Sequence, residues 1–156
     1  MSVLEPRKRA RRGFVLIAMC GCIFLLLAVV GLAFDLGRIY ITRNEAQVFT
    51  DAASMAAAAQ LDGTAAGVAR AKAAVEHLPA RWNLGTQPFA GVTAEFSADG
   101  RRWDAEPDEV SEVKFARVRA PDNRLDIIFL SAVGGPLNFN VPAQAVAATN
   151  PVRLVE

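Results

Sequence analysis

Phe14 to Phe34 reads FVLIAMCGCIFLLLAVVGLAF, 21 residues without a charge, and five basic residues stand just before it. At about 1.5 Å rise per residue such a run makes roughly 32 Å of helix, which matches the ~30 Å hydrocarbon core of a bilayer. Thirteen of the 21 are Leu, Ile, Val or Phe, each favouring insertion by about 0.3 to 0.6 kcal/mol at a helix centre. A helix that is apolar on every face must lie in lipid or in a large core, and a chain of 156 residues has no room to surround it. The run predicts a transmembrane helix over residues 13–35.

The flanks set an expected orientation. Residues 1–12 hold Arg7, Lys8, Arg9, Arg11 and Arg12 against Glu5, a net +4, which leaves −3 for the rest of a chain whose total is +1. Basic residues beside a span are retained on the cytoplasmic side, so 1–12 is expected to be a cytoplasmic tail and the remainder to lie outside. A basic run can also be a solvated tail or a nucleic-acid patch. A pI near 7.8 and balanced charge give no broad field for nucleic acid, and nucleic acid is not expected as a partner. Both cysteines, Cys20 and Cys22, fall inside the apolar run, so the outer part has no disulfide of its own.

Two alternatives to a retained anchor remain open. Gly31 and Ala33 offer small residues for a signal-peptidase cut, although a secretory apolar region is usually about 7 to 15 residues long. Gly13 followed by Phe14, Val15, Leu16 and Ile17 looks like a type IV pilin leader site, with Ala18 where pilins carry Glu.

Beyond the span, Asp35 to Gln60 contains no Pro and only Gly37 as a weak point, so the helix is expected to continue over 36–60. Leu36, Ile39, Tyr40, Arg43 and Gln47 fall at helical spacing, and Asp35 precedes Arg38 by three. The alanines from Ala52 to Ala59 keep this end slim enough for another element to approach. Asp35, Gly37, Tyr40, Arg43, Gln47 and the Asp51-Ala52-Ala53 stretch resemble the N-terminal region of TadG-like and TadE-like proteins of the Tad (Flp pilus) assembly system. The resemblance covers about residues 11 to 60. FARVRAP, the apolar run after it, a Gly-Pro break and VPAQAVAAT resemble the C-terminal half of the same family.

The resemblance implies a pilin-like, membrane-anchored component of a bacterial envelope machine, in the inner membrane with its C-terminal part periplasmic. It implies the bilayer and other Tad/Flp pilus-assembly proteins as partners, in a homo- or hetero-oligomer. The candidate contact face carries Asp35, Arg38, Tyr40, Arg43, Gln47 and Asp51.

Residues 61–156 are expected to form one α+β domain: a second helix packed on a small antiparallel sheet. Thr64 is a plausible N-cap for a helix up to Leu78, with Val68, Ala71, Val75 and Leu78 on one face, and Pro79 ends it. From Gly91 the apolar period becomes two, through Val92, Ala94 and Phe96, and Asp99-Gly100 suggests a hairpin with Arg101 to Asp104 as the returning strand. A third strand is expected around Val113 to Arg119 and a last one over Leu137 to Ala148, with Pro142 at an edge or bulge. Leu125 to Val133 is apolar and of undecided type, fit for the core or for a membrane surface. No phosphate loop, nucleophile elbow or metal-ligand cluster is present, and the single His77 has no partner for catalysis. Neither enzyme activity nor a cofactor is expected.

Overall fold

In the computed structural model, which describes residues 9–149, a single helix α1 runs Arg9–Ala58. Arg7 and Lys8 lie outside the described residues, and Arg9, Arg11 and Arg12 stand in the first turns of α1. Nothing in the sequence stops this helix before the alanines give way to Asp62-Gly63, where Gly63 adopts a positive φ. The described residues fall into two units. Those up to Gly37 join Ile127–Leu137 in one, and Arg38–Asp126 with the residues from Asn138 onward form the other.

In the first unit the apolar stretch is exposed except at Gly31 and, in part, Ala28; Phe14, Ile17, Leu25 and Val30 are each more than half exposed. The described part of α1 is long and apolar enough to cross a membrane, and 6% of its most apolar window is buried. The second element here is the one-turn helix α3, Phe129–Ala132.

The second unit is α+β. Helix α2, Ala65–Glu76, starts at Thr64, whose hydroxyl accepts the Gly67 N–H at 3.0 Å. Asp62 braces the cap: its carboxylate accepts from the Thr64 hydroxyl and from Arg70, and these two bonds, that to Thr64 first, lower its pKa from 3.8 to about 2. Val68, Ala71 and Val75 are buried as their spacing requires. Strands β3 (Thr93–Ser97), β4 (Phe115–Ala120) and β7 (Ala143–Ala148) make an antiparallel sheet in the order β3-β4-β7. Two short hairpins accompany it, β1 (Arg81–Trp82) with β2 (Gln87–Pro88) and β5 (Arg124–Asp126) with β6 (Asn138–Asn140).

The core joins Phe96, Ala116, Val118 and Ala120 of the sheet to the buried faces of α2 and of α1. On α1 that face is Thr42, Ala46, Phe49, Thr50, Ala53 and Ala57, at helical spacing. Phe49 stacks on Phe89 at 4.6 Å between ring centres, and Trp82 lies beyond it with its indole N–H on Pro88 O at 3.0 Å. On the sheet, Glu95 faces Arg117 across β3 and β4 and accepts its Nε–H at 2.7 Å, while the guanidinium lies 4.3 Å over the Trp103 ring.

Two expected strands differ from the sequence reading. Asp99-Gly100 does turn the chain, Gly100 with φ +71, but Asp99 then accepts the N–H groups of Arg101 and Arg102 at 2.8 and 3.0 Å. Those N–H groups, that of Arg102 first, lower the Asp99 pKa to about 2. Their backbone is thereby withheld from a ladder, and the return is a single bridge, Phe96 to Asp104; β4 pairs with β3 instead. The strand expected over Leu137 to Ala148 is broken at Val141-Pro142 into β6 and β7, since proline cannot donate to a ladder. Buried Asn123 ties the break together, donating from Nδ2 to Ala120 O and Val141 O.

The three α1 alanines at zero exposure, Ala46, Ala53 and Ala57, let the core close on the helix. Ala53→Leu should therefore overpack it and cost about 1–3 kcal/mol, lowering the thermal midpoint in detergent, whereas Ala59→Leu on the exposed side should leave the midpoint unchanged.

Candidate functional site

Where the apolar stretch ends, α1 presents Gly31, Phe34 and Asp35 to the segment Ile127–Leu137. Asp35 is 1% exposed. Its Oδ1 accepts the Ile128 N–H at 3.1 Å, and its Oδ2 accepts those of Phe129 and Leu130 at 2.8 and 2.7 Å. These donors belong to the start of α3, where the first N–H groups of a helix have no intrahelical acceptor. A carboxyl group offers two oxygens with several lone-pair sites, so one side chain serves three donors. Gly31 permits the approach: a Cβ there would lie 2.6 Å from the Phe129 Cβ. The Phe129 ring meets Phe34 edge-on, centroids 5.5 Å apart.

The rest of the segment closes on itself. Ile127 N–H donates to Leu137 O at 2.9 Å, and the N–H groups of Val133, Gly134 and Gly135 donate to carbonyls of Leu130, Ser131 and Leu130. The Ser131 hydroxyl donates to Ile128 O at 2.8 Å. The side chains of Ile128, Phe129 and Val133 nevertheless remain about half exposed.

In the second unit the remaining candidates part ways. Arg38 donates to Asp126 O at 2.8 Å. Gln47 donates to Asp51 at 2.9 Å and lies 3.5 Å from Gln144 O. Tyr40, 75% exposed, and Arg43 stand free of the core and share a face with Gln47 and Asp51. Sequence reasoning missed Glu45, whose carboxylate accepts the N–H groups of Asn83 and Leu84 at 2.6 and 3.0 Å. Both of those residues have positive φ, an uncommon conformation for non-glycine residues, and the carboxylate holds the turn that contains them. His77 is exposed, a ring nitrogen 2.8 Å from Ala73 O, and among the described residues no group of His, Cys, Asp and Glu is placed to hold a metal ion.

The apolar helix, its acidic exit residue and the alanine-rich end thus lie on one continuous element. Residues 13–60 match the family model described as "Putative Flp pilus-assembly TadE/G-like". The match covers about a third of the chain and bears out the resemblance carried by Asp35, Gly37, Tyr40, Arg43, Gln47 and Asp51. Comparison with curated proteins and with solved structures gives no match. The Tad-type region supports an association with pilus assembly, and its apolar helix agrees with membrane anchoring.

Asp35 and Arg43 should respond oppositely to alanine. Asp35→Ala leaves three part-buried N–H groups without their acceptor, at about 1–3 kcal/mol for each one that stays dry, whereas Arg43→Ala on an exposed face should stay within about 0.5 kcal/mol. Denaturant titration of the two variants in detergent micelles measures the difference.

Proposed function

We propose that this chain is a single-pass component of a Tad-type pilus-assembly apparatus, anchored in the bacterial inner membrane with residues 1–12 in the cytoplasm and residues 61–156 in the periplasm. It works by protein–protein contact and not by catalysis. The observation that carries the reading is that the family match, 13–60, falls on the helix holding both the apolar run and its alanine-rich extension. The basic tail supplies the orientation.

Retention of the anchor is supported by the first unit. A signal-peptidase cut after Ala33 would remove Gly31, against which Phe129 packs, and the α1 wall from Gly21 to Leu32 that lies beside Leu130 and Val133, leaving Phe34 as the ring contact of Phe129. Within the apparatus, the exposed face bearing Tyr40, Arg43, Gln47 and Asp51, with Val48 beside it, is the docking surface for another pilus-assembly protein. Asp35 and Arg38 are instead engaged within their own units, Asp35 with the 127–137 segment and Arg38 with Asp126 O.

A periplasm-dependent reporter fused after Glu156 should be active and the same reporter at the N-terminus inactive. The reverse pattern would overturn the topology. Intact mass of the membrane-extracted protein should show residues 1 to 33 present; loss of residues 1–13 alone would indicate a processed pilin.

A further inference from the structure

We infer that Ile127–Leu137 is a second membrane element, a closed loop immersed in the outer leaflet beside α1 with acyl chains covering its exposed side chains. The inference rests on the reading of α1 as a membrane span, and three observations within that unit carry it.

The first is depth. Phe129 packs against Gly31, three residues inside the Phe34 end of the apolar run. Together with Leu130 and Val133 it lines an apolar groove of about 550 Å³ whose α1 wall reaches from Leu32 back to Gly21. That wall is roughly 16 Å of helix at about 1.5 Å per residue, half the thickness of a hydrocarbon core. If the α1 run lies in lipid, the segment beside it lies in lipid too.

The second is composition. Ile127 to Leu137 reads IIFLSAVGGPL, with no ionisable side chain, between Asp126 and Asn138. Its one polar side chain, Ser131, is satisfied by Ile128 O. Ile128, Val133 and Leu137 are exposed by more than half, continuous with the exposed apolar surface of the helix.

The third observation is the backbone. Non-helical chain at membrane depth must find its hydrogen-bond partners internally, because no water is there to supply them. Seven of the segment's ten N–H groups, those of Ile127, Ile128, Phe129, Leu130, Val133, Gly134 and Gly135, have acceptors at its ends, in its turns or on Asp35, which takes three of them, and Pro136 has no N–H to satisfy. Here the carboxylate seals the one turn of helix that cannot cap itself.

Nitroxide scanning of the full chain in liposomes tests the inference. In a background of Cys20→Ala and Cys22→Ala, single spin labels are placed through Ile128→Cys and Val133→Cys, with Leu25→Cys as the span reference and Asp108→Cys as the aqueous reference. The expected result is that labels at 128 and 133 collide with oxygen far more than with a water-soluble nickel chelate, as the label at 25 does. Nickel accessibility at 128 and 133 equal to that at 108, with 25 in lipid, would overturn the inference and leave the span intact. Low accessibility to both reagents would mean protein cover in place of lipid and would overturn it also. A water-accessible label at 25 would overturn the span and the loop together.

Discussion

A buried carboxylate just past an uncharged run of 21 residues is the constraint on which the first unit depends. Removing a charge from water is costly unless it is compensated. Asp35 is compensated by three backbone N–H groups from a segment more than 90 residues away. The dependence runs both ways. Without the carboxylate those N–H groups lose their acceptor, and without the segment the carboxylate loses three donors. Ring contact between Phe34 and Phe129, and the room left by Gly31, then fix the segment's seat on the helix.

Glu45 repeats the device in the other unit, with Asn83 and Leu84 as donors. In each case a carboxylate on α1 holds a short irregular stretch that local sequence would leave undetermined. The helix thus does more than connect. It supplies an apolar face of small residues for the core, two carboxylates for distant backbone, and an exposed face with Tyr40 and Arg43 that none of these contacts consumes.

Much of this was legible in the sequence because its signals are local. The length of the apolar run, the absence of proline before Gln60, the Thr64 cap and the two-residue period at Val92 to Phe96 each specify their element without distant partners. The α+β class followed from them. Arg101 to Asp104 was misread because the Asp99 side chain competes with the ladder for backbone N–H groups, and such competition cannot be seen in a strand pattern. Leu125 to Val133 stayed undecided because its helix is a single turn whose cap comes from Asp35; one turn has no period to detect. Of the candidate face, Tyr40, Arg43, Gln47 and Asp51 lie together as helical spacing predicts, while Asp35 turns inward. An acidic residue directly after an uncharged run could have signalled a buried partner, whereas nothing near Glu45 points to Asn83.

The central claim is that the Asp35 carboxylate holds the backbone of the 127–137 segment. Hydrogen exchange of the amides of Ile128, Phe129 and Leu130 in lipid nanodiscs, wild type against Asp35→Asn, tests it most directly. An amide side chain keeps one acceptor oxygen where three donors need two, so those amides are predicted to be protected in the wild type and to exchange markedly faster in the variant, while Val118 and the other β4 amides are unchanged. Equal protection of residues 128 to 130 in both proteins would contradict the account.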